Sequence, residues 1–138
     1  MSGAGLTKYE RRATKYEIMF ELSVKSHIAS AHFLTGYQGR CKDLHGHTWH
    51  IEVVIAGEEL DRIGMVSDFA GLKKQLNEFL MPLDHVCLND LEYFKRSNPT
   101  TEIIAQYVYQ NFAKVIAPLQ IKRVQVWESE TSSVVYYE

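Results

Sequence analysis

The order in which hydrophobic periodicity changes along the chain constrains its fold more than any other feature. A period of two comes first. Ile18, Phe20, Leu22 and Val24 alternate with Met19, Glu21 and Ser23 in a strand starting near Tyr16, with room for a bulge before Phe33. Thr35 to Gly39 then reads as a loop, because glycines flank a polar stretch. A second strand is predicted from about His47 to Ala56, with His47, Trp49, Ile51, Val53 and Ile55 on one face. The period then changes to 3.6. One helix is expected over Asp68 to Leu80, capped by Ser67, with Phe69, Leu72, Leu76, Phe79 and Leu80 as its stripe. A second is expected over Pro99 to Ala117, with Asn98 as cap and Ile103, Ile104, Tyr107, Val108, Phe112, Val115 and Ile116 inward. Two further strands follow, about Ile121 to Glu128 and Ser133 to Tyr137.

The order ββααββ favours an α+β layer, a four-stranded antiparallel sheet with both helices on one face. Its two edges would need protection or pairing, so association into an oligomer is expected. A chain of 138 residues points to one domain over residues 16–138, and chains of this size bury roughly two-thirds of their unfolded surface. The polar, basic residues 1–15 read as a flexible arm and lack the apolar middle of a signal peptide.

Fifteen Lys and Arg against seventeen Asp and Glu leave a net charge of −2, which argues against electrostatically driven nucleic-acid binding. It leaves room for a local basic pocket. No apolar run approaches the ~20 residues of a membrane-spanning helix, so no membrane partner is expected. Two cysteines make no disulfide framework, and a reducing cytoplasm is the expected location.

Chemistry concentrates in Cys41-Lys42-Asp43-Leu44-His45-Gly46-His47. Residues two apart on a strand point the same way, so His45 and His47 can share one metal ion, and Gly46 lets backbone or ligand approach. Antiparallel pairing can bring His32 across from them, in a register that the sequence does not fix. Three histidines with an open position would make a catalytic zinc site; an isolated His-x-His is also common on strands with no such role. Cys41 reads either as a fourth ligand, closing the site, or as a free thiol beside the metal, activated as base or nucleophile. Cys87, between Val86 and Leu88, reads as a packed core thiol. Asp84-His85 reads as a carboxylate-oriented proton shuttle or as a capped loop. His27 and His50 read as surface or strand-face residues. Glu128 falls on the apolar side with Val124 and Val126. There it either accepts two parallel N–H bonds from a guanidine-like edge, such as that of Arg or of a pterin or guanine, or stands in solvent at the strand end. Thr100 and Thr101 are helix-start residues or line a ligand site.

The chain resembles the 6-pyruvoyl-tetrahydropterin synthase family, and most closely its bacterial 6-carboxy-tetrahydropterin synthase branch of queuosine biosynthesis. The resemblance spans Tyr16 to Glu138. It rests on Ser30-Ala31-His32-Phe33, Cys41-x3-His45-Gly46-His47, Val66-Ser67-Asp68-Phe69, Leu83-Asp84-His85, Asn98-Pro99-Thr100-Thr101-Glu102 and Val126-Trp127-Glu128. It implies the tunnelling fold, in which sheets of neighbouring subunits join into a barrel, and a homo-oligomer, trimer or hexamer, with active sites between subunits. It implies zinc on His32, His45 and His47; Cys41 as catalytic thiol; Asp84 and His85 as proton-handling partners; and Glu128 as pterin anchor, with Thr100 and Thr101 near the ring. The implied substrate is 7,8-dihydroneopterin triphosphate, converted to 6-carboxytetrahydropterin, acetaldehyde and triphosphate. Three residues between Cys41 and His45 match this branch, whereas the animal 6-pyruvoyl enzymes place five there. The triphosphate is left unassigned, with lysines or arginines of a neighbouring subunit its expected partners.

Overall fold

A computed structural model describes Gly5 and residues 19–138. The expected arm and the strand residues Tyr16 to Ile18 therefore lie outside the described residues, apart from Gly5. Strands β1 (Phe20–His32) and β2 (His45–Gly57) form a long antiparallel ladder. Its register is unbroken from Phe20–Gly57 to His32–His45, so β1 carries no bulge. Helices α1 (Phe69–Leu80) and α2 (Thr101–Ile116) follow, then β3 (Gln120–Ser129) and β4 (Ser132–Tyr136). The four strands lie in sequence order and every pair is antiparallel. This is the ββααββ order the periodicities predict.

Both helices pack on the face presented by even positions of β1 and odd positions of β2. α1 rests on β1, and α2 on β3 and β4. Leu22, Val24, Ile28, Trp49, Ile51, Val53 and Ile55 are buried there against Leu72, Leu76, Leu80, Ile104, Val108 and Phe112. Three expected core residues stay outside. Phe20, at the last pair of the ladder, is half-exposed; Phe69 opens α1 before its stripe meets the sheet; and the α2 stripe closes on Ile116, leaving Val115 in solvent.

Each predicted cap moves by one or two residues. Asp68 caps α1, its carboxylate accepting from the Ala70 and Gly71 amides at 3.4 and 3.0 Å. Thr100 caps α2 by accepting from Ile103 N at 3.2 Å. Ser67 and Asn98 are displaced because their neighbours compete for the same role. Asn98 instead clasps Thr35, accepting from its amide at 2.7 Å and donating to its carbonyl at 2.9 Å.

On the helix-free face, Glu52 meets Arg123 at 3.0 Å and Lys25 at 3.5 Å, although only 11% of its side chain is exposed. Lys25 also lies 5.6 Å from the Trp127 ring centroid. His27 and His50 stand directly opposite each other on β1 and β2, with exposed side chains. No helix among the described residues is long and apolar enough to cross a membrane.

Candidate metal centre

The inward parity of β1 and β2 continues to the end of the ladder, where His32 pairs with His45. Strand alternation therefore delivers the rings of His32, His45 and His47 to one spot. β3 brings the fourth member. The β3–β4 register shifts between Trp127 and Ser129, leaving Glu128 outside the ladder, and a bulge of this kind re-aims a side chain. One ligating atom from each of His32, His45, His47 and Glu128 lies within 4.8 Å of the other three.

Hydrogen bonds fix two of the tautomers. His32 Nδ1 is 2.8 Å from the Pro99 carbonyl oxygen, and His45 Nδ1 is 2.6 Å from that of Asp43. A carbonyl only accepts, so both Nδ1 atoms carry the proton, and in a neutral ring the Nε2 atom then presents a lone pair. Those two lone-pair nitrogens are 3.0 Å apart. Neutral imidazoles have no proton to place between them, and a cation would resolve the repulsion. Two nitrogens on one tetrahedral zinc ion sit roughly 3.3 Å apart, given Zn–N bonds of about 2.0–2.1 Å.

Charge balance agrees. Burial lowers the pKa of His32, the neighbouring imidazoles lower it further, and the Pro99 carbonyl and Glu128 oppose them. Burial lowers that of His47 as well, assisted by His45 against the pull of Glu128. Neutral imidazole is the form that binds a metal. Glu128 Oε1 stands 3.1 Å from His47 Nε2, yet with that ring neutral the contact is no ion pair. The direction is also wrong for a hydrogen bond, so His47 Nε2 is buried without a hydrogen-bond partner among the described residues. Trp49, fully buried, packs edge-on against His32 and His47 at centroid distances of 4.9 and 5.0 Å. The donor set and its unsatisfied nitrogen fit a divalent metal ion.

Asp84 and His85 occupy the loop after α1. Adjacent side chains rarely meet, yet His85 Nδ1 lies 2.8 Å from Asp84 Oδ2. His85 takes a φ of 56°, a left-handed conformation uncommon outside glycine, which turns its ring back on its neighbour. Both residues are pinned to β1. Ala29 N donates to Asp84 Oδ1 at 2.8 Å, and His85 N donates to the Ala29 carbonyl at 2.7 Å. The Ala29 bond and then the His85 bond hold the Asp84 carboxyl below its ordinary value. His85 is 82% exposed and lines an open cleft of about 540 Å³ together with Gly46, His47, Thr48 and Cys87. Cys87 is thus half-buried at a cleft wall and no core thiol, because its backbone runs beside Ala31 at the sheet edge. A Cβ at Gly46 would meet only the Ser30 carbonyl at 3.5 Å, an ordinary contact, so space alone does not demand glycine.

Cys41 lies on a short 3-10 turn, Arg40–Lys42, whose Cys41 carbonyl accepts from Leu34 N at 2.9 Å. Its thiol is not part of the four-residue group. Thr100 spends its hydroxyl on the α2 cap, and Thr101 is buried, both one or two residues from the Pro99 carbonyl that orients His32. Sequence reasoning missed the backbone supports of Pro99, Asp43 and Ala29. Carbonyls leave no trace in residue type, although Asn98-Pro99 opens one of the motifs that carry the family resemblance.

Residues 21–138 match the family described as 6-pyruvoyl tetrahydropterin synthase. The protein is 37% identical over 126 residues to the 6-carboxy-5,6,7,8-tetrahydropterin synthase of Bacillus subtilis, a match spanning 85% of this sequence and 84% of that one. It is 38% identical over 102 residues to human 6-pyruvoyl tetrahydrobiopterin synthase, spanning 71% and 70%. The solved 6-pyruvoyl tetrahydropterin synthase of Caenorhabditis elegans superposes with a TM-score of 0.78 at 26% identity, over 88% of this protein and 96% of that one.

Proposed function

Since the chain belongs to the 6-pyruvoyl tetrahydropterin synthase family and has its tunnelling fold, we propose that it is a zinc-dependent 6-carboxy-5,6,7,8-tetrahydropterin synthase. It takes 7,8-dihydroneopterin triphosphate and one water to 6-carboxytetrahydropterin, acetaldehyde and triphosphate, in queuosine biosynthesis. The reading rests first on the His32, His45, His47 and Glu128 group with its facing lone pairs. The choice of product draws on the longer match to the 6-carboxy relative and on the three residues between Cys41 and His45.

In this reading His32, His45 and His47 hold zinc, which would supply Lewis-acid polarisation of the oxygens on the substrate's side chain. Glu128 accepts the 2-amino and N3 protons of the pterin edge, with Thr100 and Thr101 beside the ring. Cys41 takes a proton from the substrate's side chain. His85, its Nδ1 engaged by Asp84, offers Nε2 to the cleft as the second proton carrier. Positioned acid–base groups of this kind contribute about 10²- to 10⁴-fold each. Residues 16–138 form the catalytic domain, residues 1–15 an arm, and the unpaired outer edge of β4 supports assembly into a trimer or hexamer in the cytoplasm, with sites between subunits.

The 38% identity to the human relative favours one second reading, a 6-pyruvoyl product in which no carbon–carbon bond of the substrate is broken. Mass spectrometry of the zinc-loaded protein's products from 7,8-dihydroneopterin triphosphate decides between them. 6-Carboxytetrahydropterin with acetaldehyde upholds the proposal. A 6-pyruvoyl product moves the protein to the second reading, and unchanged substrate rejects both.

A further inference from the structure

We propose that the substrate's triphosphate is received by this same chain, in the depression walled by Phe33, Thr35 and the loop Lys95 to Asn98, beside the metal centre. The inference rests on the function proposed above. The depression is about 450 Å³ and polar, and none of its lining residues carries a carboxylate. Two adjacent cations, Lys95 and Arg96, stand at it with exposed side chains. Arg96 forms no ion pair among the described residues. Lys95 meets only Glu92, at 3.0 Å, with both side chains more than half exposed. Such pairs contribute little and are readily surrendered to a stronger anion. In a protein of net charge −2, this is a local reversal of sign.

The wall itself is already satisfied. Asn98 holds Thr35 through two hydrogen bonds, and Asn89 holds Phe33 likewise, accepting from its amide at 3.0 Å and donating to its carbonyl at 2.9 Å. With both asparagines spent on backbone, the guanidinium and ammonium are the charged groups left for a ligand, beside the Thr35 and Ser97 hydroxyls. Guanidinium binds phosphate oxygens in a bidentate fork, and ammonium acts as a point charge. The two walls also lead straight to the metal centre. Phe33 follows His32 in the sequence, and Asn98 precedes Pro99, whose carbonyl holds the His32 ring. The depression and the metal centre are therefore built on two shared stretches of backbone, residues 32–33 and 98–99. The proposal differs from the expectation that a neighbouring subunit supplies the donors.

The test uses zinc-loaded protein and inorganic tripolyphosphate in titration calorimetry, comparing the wild type with a Lys95→Ala/Arg96→Ala variant. Zinc content and circular dichroism are checked in both. The proposal expects at least tenfold weaker tripolyphosphate binding in the variant, unchanged affinity for 7,8-dihydroneopterin, and a matching rise in KM for the triphosphate substrate. Arg96→Lys, which keeps the charge, should restore part of the loss. Equal tripolyphosphate affinity in both proteins, or none in the wild type, overturns the proposal. So does lost tripolyphosphate binding with an unchanged KM, which would make the depression a site for free oligophosphate. A wild type that binds tripolyphosphate but turns over no dihydroneopterin triphosphate refutes the proposed function, while the binding comparison still answers for the depression.

Discussion

Glu52 and Glu128 lie on opposite faces of one sheet, and their surroundings differ in kind. Glu52, on the helix-free face, faces two cations, Arg123 and Lys25, and accepts from Ser23. Burial pushes its pKa up, but the Ser23 bond, Arg123 and Lys25 together outweigh burial and leave it below the ordinary value. Glu128, on the helix side, faces imidazoles, one with an unpartnered nitrogen and two whose Nε2 atoms stand 3.0 Å apart. The first cluster is complete within the protein. The second leaves a buried nitrogen without a partner among the described residues and could hold a cation. A polar cluster that satisfies itself serves stability; one that does not points to a ligand.

The largest effect that could break this contrast is on the incomplete cluster. His47→Ala should reduce bound zinc from one ion per subunit to near none and abolish turnover, read by elemental analysis and product assay. Zinc retained at full occupancy would remove His47 from the ligand set. Next, Cys41→Ala should keep zinc and lose about 10²- to 10⁴-fold in kcat. Loss of zinc with the thiol would make Cys41 a ligand and the protein a binding module. Glu128→Ala sharpens the comparison further: pterin affinity should fall while zinc stays, and an unaltered pterin Kd would take Glu128 out of the substrate site.

Much of this contrast was legible in the sequence. Period-two alternation puts His45 and His47 on one face with Trp49 and Ile51; that His32 keeps the parity of Val24 and pairs with His45 depends on an unbroken register, which the structure supplies. Glu128 was legible as a carboxylate on the apolar side, but not as a member of the histidine group, because its bulge depends on the β3–β4 register. The Asp84–His85 contact was legible as one of two readings, but not the positive φ at His85 that lets adjacent side chains meet. The caps moved because Ser67-Asp68 and Asn98-Pro99-Thr100 each offer two competent residues.

The smaller effects belong to the complete cluster. Glu52→Gln should leave zinc and activity intact and cost about 1–2 kcal/mol in urea unfolding at pH 7, the scale of lost hydrogen bonds to a charged group. A loss of activity instead would mean that the two faces are coupled. The sign of its pH dependence follows from the lowered pKa. The stabilisation is full above the unfolded-state value of about 4.3 and fades as pH falls through the lower folded value. The gap between wild type and Glu52→Gln should therefore narrow in acid below about pH 4, and a gap that widens there would reverse the assignment.

The long β1–β2 ladder also sets an order of events. Three of the four groups that meet at its end belong to one hairpin closed by a short connection, residues 33–44, whereas Glu128 arrives from a strand beyond both helices. Loop-closure entropy favours the nearer pairing, and distant strand pairing is the slow part of folding. During synthesis the three imidazoles can thus assemble while β3 is still unmade. Such a nascent hairpin can hold an ion before the rest of the sheet closes over it, so metal delivery and folding can proceed as one kinetic sequence.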